Sequence, residues 1–511
     1  MVGKESHDYS KENYESLAAS ESSEIEGLSN QKYFHEWRKL FQEFSQRVLI
    51  TPQKYRPVRV KLLEDSKESL IDLYIPKHLS SEAQANVVRY ICTLIHNTLW
   101  FKGSYAVGIE IEQALFKKIK TSFETEYINI NRPSSVRSIL LSYFGTSSYF
   151  LGNSLAAFNS LKADYLTRSK ELPHHPIIPT KTGNLLVINI GITSTKIAIV
   201  NRQNSQSPNF VTIPREFPST FPTDTPENVE VFLQQVVAEV KSTVLRANID
   251  WNDVDGIVLG NSNFSPRGCI SASDTGIFEN LSGDNLRRGA QIVELLSQAS
   301  GGKTVYTIND GDLQGLALAG LKRTGNFALF RFGTSLAATV IDRNGQPVPG
   351  INEIGRGVID MRVNALPHPT LGTRGMARSI VSMRGIISVT EEMGITEKYG
   401  IENPKEIPTL LKNWLESDGN DLEAQSKRSD AIHILKEVGR GSAALALEVK
   451  EHYGISHIFL GASYFNTIAG QIIFEEMKAA LANTEITVDI FAETAWELKF
   501  NGLLGAAFLK F

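Results

Sequence analysis

Two glycine-centred turns, each placed between two apolar runs, constrain this chain more than any other feature. The first lies in "LLVINIGITSTKIAIV" at 185–200, and the second lies in "FALFRFGTSLAATVID" at 327–342. Short apolar runs rich in β-branched and aromatic residues predict strands, and a Gly-Ser/Thr turn between two of them predicts a tight connection. The repeat therefore predicts two related halves, each of which begins with a strand, a turn and a second strand.

Further β-rich runs alternate with helical patterns on both sides of these turns. The strand candidates include "GIVLG" at 256–260 and "TVYTIN" at 304–309, and "NVEVFLQQVVAEVKSTVL" at 228–245 has helical spacing. Such alternation predicts α/β layers in which helices cover mixed sheets. A chain of 511 residues is also long enough for more than one core.

The front of the chain has a different character. Residues 1–30 are rich in Ser, Glu and Lys, and we expect a disordered tail there. Residues 31–171 place apolar side chains at three-to-four spacing, which predicts a mainly helical N-terminal module of its own. The segment "LPHHPIIPTKTG" at 172–183 predicts an extended linker.

Composition excludes several classes of protein. A formal charge of −4 gives no global attraction to nucleic acid or to an anionic membrane. Only Cys92 and Cys269 occur, so no disulfide framework and no Cys-rich zinc site are expected, as is typical of the cytoplasm. His174 and His175 lie in the proline-rich linker without an acidic partner nearby, so we expect no metal site there. No stretch approaches the ~20 apolar residues that span a bilayer, and we expect a soluble, cytoplasmic protein.

The two turns offer groups that bind anions. Successive backbone N–H groups in a turn form a concavity for anions, and the first turn adds Gly191, Thr193 and Lys196 to it. The second turn repeats the pattern with Gly333 and Thr334, so the pair can hold a polyphosphate from two sides. Ordinary turns also use Gly, Ser and Thr, and this interpretation stays open.

A carboxylate and an amide follow the predicted strand at 304–309. Asp310 can accept the proton of an attacking hydroxyl group while Asn309 holds that group in place. The alternative is that Asp310 or Asp312 caps the helix that follows.

Taken in order, the motifs resemble a known family. They are "LLVINIGITSTKIAIV", "GIVLGNSNFSPRG", "NLSGDNLRRGAQIVELLSQASGGKTVYTINDGDLQGLALAG", "FRFGTSLAATVID", "GINEIG", "HIFLGASYFNTIAG" and "GLLGAAFL". Their order and spacing resemble the sugar kinases of the actin-like ATPase superfamily, in particular the hexokinase and ROK (repressor, ORF, kinase) branch. The resemblance covers roughly residues 183–511.

The resemblance implies a fold and an activity. The fold is α/β, with two ribonuclease-H-like lobes around a cleft at 184–324 and 325–511, preceded by the mainly helical module. The activity is ATP-dependent phosphorylation of a hexose or a hexose derivative, with ATP and Mg²⁺ as cofactors and with sugar and nucleotide as small-molecule partners.

The resemblance also implies roles for individual residues. Asp310 corresponds to the general base, and the sugar contacts fall on Asn280, Asn309 and Glu353. The nucleotide contacts fall on Asn189, Gly191, Thr193, Lys196, Gly333, Thr334 and Gly461.

Three regions depart from the family pattern. Asn189 stands where most members have an aspartate that organises Mg²⁺, although acetate and butyrate kinases resemble this loop, Asn included. Arg356 replaces the histidine of "GEIGH", no cysteine follows it, and Arg378 falls near a second sugar-binding glutamate. The adenosine segment "LGASYFN" has one glycine instead of a cluster.

Several alternatives follow from these departures. One is a catalytically degenerate regulator that binds sugar or nucleotide, and another is a sugar-responsive DNA-binding repressor, although residues 31–171 contain no convincing helix-turn-helix. The N-terminal module would instead mediate oligomerisation or contact a protein. A resemblance to the FGGY carbohydrate kinases would make Asp312 the base, but the spacing from Asn189 favours Asp310.

Overall fold

A computed structural model gives the architecture of the chain. It describes residues 20–64, 67–127, 150–152, 183–191, 194–202, 208–218, 224–262, 265, 270, 276–278, 281–368, 372–419, 421–491, 500 and 502–509. These residues form three sheets with helices around them. Within the described part of the chain, no helix is long and apolar enough to cross a membrane.

The N-terminal part contains helices, as predicted, and also a sheet that the sequence analysis did not predict. The helices are α1 (Phe34–Arg47), α2 (Ser81–Lys102) and α3 (Gln113–Ser122). The strands are β1 (Tyr55–Glu64), β2 (Lys67–Pro76), β3 (Ser104–Glu110) and β4 (Phe150–Gly152), in the order β2-β1-β3-β4.

The predicted disordered tail is wrong at its C-terminal end. Residues 20–27 are helical, and Ile25 and Leu28 are buried in the core, because these two apolar side chains repay the cost of ordering. Residues 1–19 lie outside the described part of the chain, as do residues 172–182 of the predicted linker.

The basic stretch near residue 55 forms β1, and its cations face acidic partners. Lys61 lies 2.7 Å from Glu68 on β2, and Arg59 lies 3.3 Å from Asp72 on the same strand. Cross-strand pairs of opposite charge stabilise antiparallel sheets. These side chains therefore stabilise the sheet through ion pairs.

The first lobe is built on a sheet with the order β10-β9-β5-β6-β7, and β8 also pairs with β6. Its strands are β5 (Asn184–Ile190), β6 (Ser194–Asn201), β7 (Asn209–Phe210), β8 (Arg215–Pro218), β9 (Val254–Asn261) and β10 (Val305–Asn309). The helices α4 (Pro226–Ala247), α5 (Gly283–Ala290) and α6 (Ile292–Ala299) belong to this lobe. β5 is buried along most of its length, which explains its continuous apolar run.

The second lobe has a sheet with the order β12-β11-β13-β14. Its strands are β11 (Phe327–Phe332), β12 (Leu336–Ile341), β13 (His457–Gly461) and β14 (Thr487–Ile490). The helix α7 (Asp310–Lys322) leads into this lobe. The remaining helices are α8 (Met383–Glu392), α9 (Ile395–Lys398), α10 (Ile407–Glu416), α11 (Leu422–Tyr453) and α12 (Ile468–Leu481).

The two sheets share one strand order. In each, the first strand is central and pairs antiparallel with the strand after the glycine turn, while later strands add in parallel on its other side. This is the arrangement of a ribonuclease-H-like lobe. The predicted fold class, two such lobes preceded by a part that contains several helices, is confirmed.

The N-terminal part and the second lobe share a single hydrophobic core. Across it, Arg38 of α1 reaches Glu448 of α11, and Asn97 of α2 exchanges two hydrogen bonds with the backbone of Val358, at 2.7 and 2.9 Å. The prediction of an N-terminal module of its own is therefore wrong. The physical reason is that the apolar faces of these helices are covered by the second lobe, a contact that helical spacing alone does not reveal.

Candidate functional site

The first glycine turn connects β5 and β6 tightly. The N–H of Gly191 donates to the carbonyl oxygen of Ser194 at 3.0 Å, and a Cβ atom at Gly191 would lie 3.2 Å from that oxygen. Asn189 pairs in register with Lys196 and is buried, and its Oδ1 accepts no hydrogen bond from any residue that the structure describes. Thr193 falls outside the described residues.

The second turn is also closed by a hydrogen bond from its glycine, but the acceptor lies two residues ahead instead of three. The N–H of Gly333 donates to the carbonyl oxygen of Ser335 at 3.2 Å, and a Cβ atom at Gly333 would again lie 3.2 Å from this acceptor. Thr334 between them is exposed. At the neighbouring strand end, Gly461 of β13 pairs with Arg331 of β11. The predicted pair of related turns is thus present, and the second lies beside the predicted adenosine segment.

The Asn309-Asp310 pair lies where β10 ends and α7 begins. Asn309 is the N-cap of α7, because its Oδ1 accepts a hydrogen bond from the N–H of Gly311 at 2.8 Å. The helix is therefore capped by Asn309, and not by Asp310 or Asp312 as the alternative interpretation had it. Asp310 is the first residue of the helix, so its carboxylate also lies at the positive end of the helix dipole.

The sheet register places these residues on one edge of the first lobe. The strands β5, β9 and β10 are parallel, and Ile190, Asn261 and Asn309 lie in register at their carboxyl ends. Ligands of open α/β sheets bind outside this edge. Asn261 is fully buried between the other two positions, and the sequence analysis did not identify it. Asn280 lies outside the described residues.

Charges from both lobes act on Asp310. Burial raises the pKa of the Asp310 carboxyl above its usual range, and the cations of Arg331 and Lys196 oppose this shift. The negative charge of Glu353 adds to the rise in pKa. Asp310 from the first lobe therefore shares an electrostatic environment with Arg331 and Glu353 from the second.

Asp312 lies two positions after Asp310 on α7 and is hydrogen-bonded to the second lobe. Burial raises the pKa of Asp312 to about 6, and the hydroxyl of Thr339 on β12 donates to its carboxylate, which limits the rise. The charges of Glu353 and Asp310 raise the pKa further. Asp312 thus joins α7 to β12 through a hydrogen bond. For Asp310, nearby cations are the charges that oppose the rise in pKa.

Glu353 is held in place by an arginine and by the N-terminal part. Nε of Arg356 lies 3.2 Å from Oε2 of Glu353, and the Arg356 guanidinium lies over the ring of Trp100 at 4.6 Å. The backbone N–H of Glu353 donates to the carbonyl oxygen of Trp100 at 3.0 Å. Arg356 occupies the place of the family histidine, and its side chain is only 6% exposed.

Arg378 reaches the second glycine turn. Its Nε and Nη2 donate to Oγ of Ser335 at 3.1 and 2.9 Å. The backbone N–H of Arg384 donates to the carbonyl oxygen of Thr334 at 3.2 Å. The chain therefore places a cation against its second glycine turn.

The donors present suit a magnesium ion that arrives with a nucleotide. Among the described residues, no group of three or more His, Cys, Asp and Glu side chains can hold a metal by itself. Mg²⁺ usually keeps several waters and binds to phosphates with only one or two protein oxygens. Near the end of β5, Oδ1 of Asn189 is a buried acceptor without a partner among the described residues.

Comparisons with known proteins complete the description. No protein-family model matches the chain, and neither does any curated protein. Among solved structures, the chain is similar to a ROK hexokinase from Thermus thermophilus, with 16% identity, a TM-score of 0.47, and coverage of 64% of this chain and 97% of that one. It is also similar to a ROK family transcriptional regulator, a homolog of the E. coli MLC protein, with 14% identity, a TM-score of 0.47, and coverage of 64% and 78%.

A third similar structure is a ROK family glucokinase from Streptomyces griseus in complex with glucose and AMPPNP. The identity is 15% and the TM-score 0.42, and the alignment covers 64% of this chain and 98% of that one. Independently of these likenesses, the strand order of its own two sheets gives the chain the actin-like ATPase fold with two ribonuclease-H-like lobes.

Proposed function

We propose that the chain is an ATP-dependent kinase of a hexose or a hexose derivative, with Asp310 as its general base. One observation carries the proposal. Asp310 lies at the carboxyl edge of the first sheet, where Arg331 and Glu353 of the second lobe act on its charge. In this proposal Asp310 is the base, Arg331 supplies a nearby positive charge, and Glu353 binds the substrate hydroxyl.

The reaction is transfer of the γ-phosphoryl group to a substrate hydroxyl. The hydroxyl oxygen forms a bond to the γ-phosphorus, the bond from that phosphorus to the bridging oxygen breaks, and ADP leaves. The hydroxyl proton passes to Asp310, and its raised pKa makes it a stronger proton acceptor than an exposed aspartate. Positioning and charge neutralisation supply most of the catalysis of such a transfer.

The two turns hold the polyphosphate in this proposal. Backbone N–H groups around Gly191 and Gly333 face the phosphate oxygens, with Lys196 on one side and Arg378 on the other. A bound Mg²⁺ would neutralise charge on the β- and γ-phosphates, and Asn189 would contact it from the protein side. Gly461 would lie beneath the adenosine.

Asp312 is the competing base. Its carboxylate accepts a hydrogen bond from Thr339, which links two elements of the fold. We therefore expect Asp312→Asn to lower stability while retaining turnover, and Asp310→Asn to retain the fold while losing turnover. The reverse pattern in steady-state ADP formation would assign the base to Asp312.

A binding regulator is the second candidate, and the Glu353–Arg356 pair favours it. Because Arg356 occupies one oxygen of the carboxylate, fewer acceptor positions remain for sugar hydroxyls. If MgATP and a panel of hexoses yield no ADP, and sugar still raises the melting temperature of wild type and of Asp310→Asn equally, the regulator replaces the kinase.

A further inference from the structure

Arg356 is a buried cation whose hydrogen-bonding capacity is not used up. Its Nε contacts Glu353, its guanidinium lies on Trp100, and its Nη1 has no hydrogen-bond partner among the residues that the structure describes. A buried guanidinium with an unmade hydrogen bond is costly unless an acceptor completes it. Nη1 can therefore donate to an acceptor that the described residues do not supply.

Two neighbours of Arg356 carry unpaired polar atoms as well. Nε1 of Trp100 is a buried donor without a partner in the described part of the protein. Nε2 of His96 lies 3.0 Å from the carbonyl oxygen of Arg356 and must donate to it. In a neutral ring Nδ1 is then an acceptor, and it too has no partner among the described residues. Burial lowers the pKa of His96 to about 4, which keeps the ring neutral.

Positive charge is concentrated around this group. His368 is buried, and besides burial the charges of Arg378, Arg356 and Arg384 lower its pKa to about 3. Burial is the largest cause of this shift, and the three arginines add to it. Arg356, Arg378 and Arg384 thus place positive charge on this side of the site, next to Glu353.

We infer that the substrate of this site carries an anionic oxygen group, a carboxylate or a phosphate, which binds to Arg356 beside the reacting hydroxyl. The inference rests on the proposed function, since it places the hydroxyl on Asp310 and Glu353. Arg356 donates from Nη1 to the anion, and the Trp100 ring supports the guanidinium from the other face. The N-terminal part thus contributes one side of the substrate site through α2.

Calorimetric titration of the full chain tests this without relying on turnover. The probes are D-glucuronate and D-gluconate for a carboxylate, glucose 6-phosphate for a phosphate, and D-glucose as the neutral comparison. We expect at least one anionic probe to bind at least about 10-fold more tightly than glucose, because a charge-assisted hydrogen bond strengthens binding by about that factor. Equal or tighter binding of glucose would overturn the inference.

Variants identify the residue. Arg356→Met should abolish the preference for the anionic probe. The control Arg343→Met, at an exposed residue two positions after the end of β12, should retain it. Arg356→Lys retains the charge and should retain part of the preference, which keeps the test valid if the Met variant does not fold. An unchanged preference in a folded Arg356→Met or Arg356→Lys variant would contradict the assignment.

Parallel assays of ADP formation separate the two proposals. ADP formation with glucose alone, without binding of any anionic probe, would refute the anionic substrate and leave the kinase in place. Binding of an anion that depends on Arg356, without ADP formation from any probe, would support the anion site and refute the kinase.

Discussion

The ion pair between Arg38 and Glu448 should couple the N-terminal part to the second lobe energetically. Nη2 of Arg38 lies 2.7 Å from Oε2 of Glu448, and the Glu448 side chain is 1% exposed. Burial by itself would raise the pKa of Glu448, but Arg38 and His452 together outweigh it, and the pKa lies below its usual range. Arg38→Met would leave this carboxylate buried without its cation.

The magnitude follows from burial. Removing one partner of a buried ion pair costs about 3–5 kcal/mol, whereas replacing both partners by apolar side chains is often neutral. Asn97 cannot substitute for the arginine, because its Nδ2 is 3.5 Å from the same oxygen, at the limit of a hydrogen bond. We expect Arg38→Met to lose about 3 kcal/mol or more, and Arg38→Met with Glu448→Leu to recover at least about half of that loss.

Urea unfolding followed by tryptophan fluorescence measures both values, because Trp37 and Trp100 are fully buried in the shared core. A single transition that shifts as a whole in Arg38→Met is expected when the two parts unfold together. The reasoning would be refuted if the single variant lost less than about 1 kcal/mol, or if a separate second-lobe transition remained at the wild-type midpoint.

Two further predictions concern the same junction. A Cβ atom at Gly357 would lie 2.4 Å from the buried Phe101 ring, so Gly357→Ala should destabilise the protein by about 1–3 kcal/mol in urea unfolding. The control Gly27→Ala should not destabilise it, because the space around Gly27 is open. Equal unfolding midpoints of the two variants would refute the contact. The pKa of His96 is lowered to about 4 by burial, so the unfolded chain binds this proton first as pH falls below about 6.5. The free energy of unfolding of wild type should therefore fall by about 2 kcal/mol between pH 7.5 and pH 5, and a folded His96→Gln variant should not show this loss. Identical pH profiles of the unfolding midpoint in the two proteins would contradict this.

The parts of the fold that local patterns encode were predictable from the sequence. The continuous apolar run of β5 and the Gly191 and Gly333 turns predicted strand–turn–strand units, and the structure contains both. The hairpin of β1 and β2 was missed, because its charged residues alternate with apolar ones in a stretch that also reads as a basic surface.

The contacts that shape the site could not be predicted, because they join distant parts of the chain. Nothing in the local sequence of Arg356 indicates that Trp100 lies under its guanidinium. Arg331 was not predicted as a site residue because it lies within an apolar strand, although a cation in such a strand is unusual enough to indicate a functional position. The role of Asn309 as the helix cap could have been predicted, since Asn is a preferred N-cap residue and Asn309 precedes a helical pattern.

The most direct test of the central claim is phosphoryl transfer itself. Wild type and Asp310→Asn should be compared with MgATP and a panel of neutral and anionic sugars, with ADP and phosphorylated product both quantified. We predict stoichiometric ADP and phosphorylated sugar from wild type, and at least about a 100-fold lower rate from a folded Asp310→Asn variant that still binds nucleotide. Undiminished turnover in that variant, or no phosphorylated product from folded wild type with any sugar, would contradict the account.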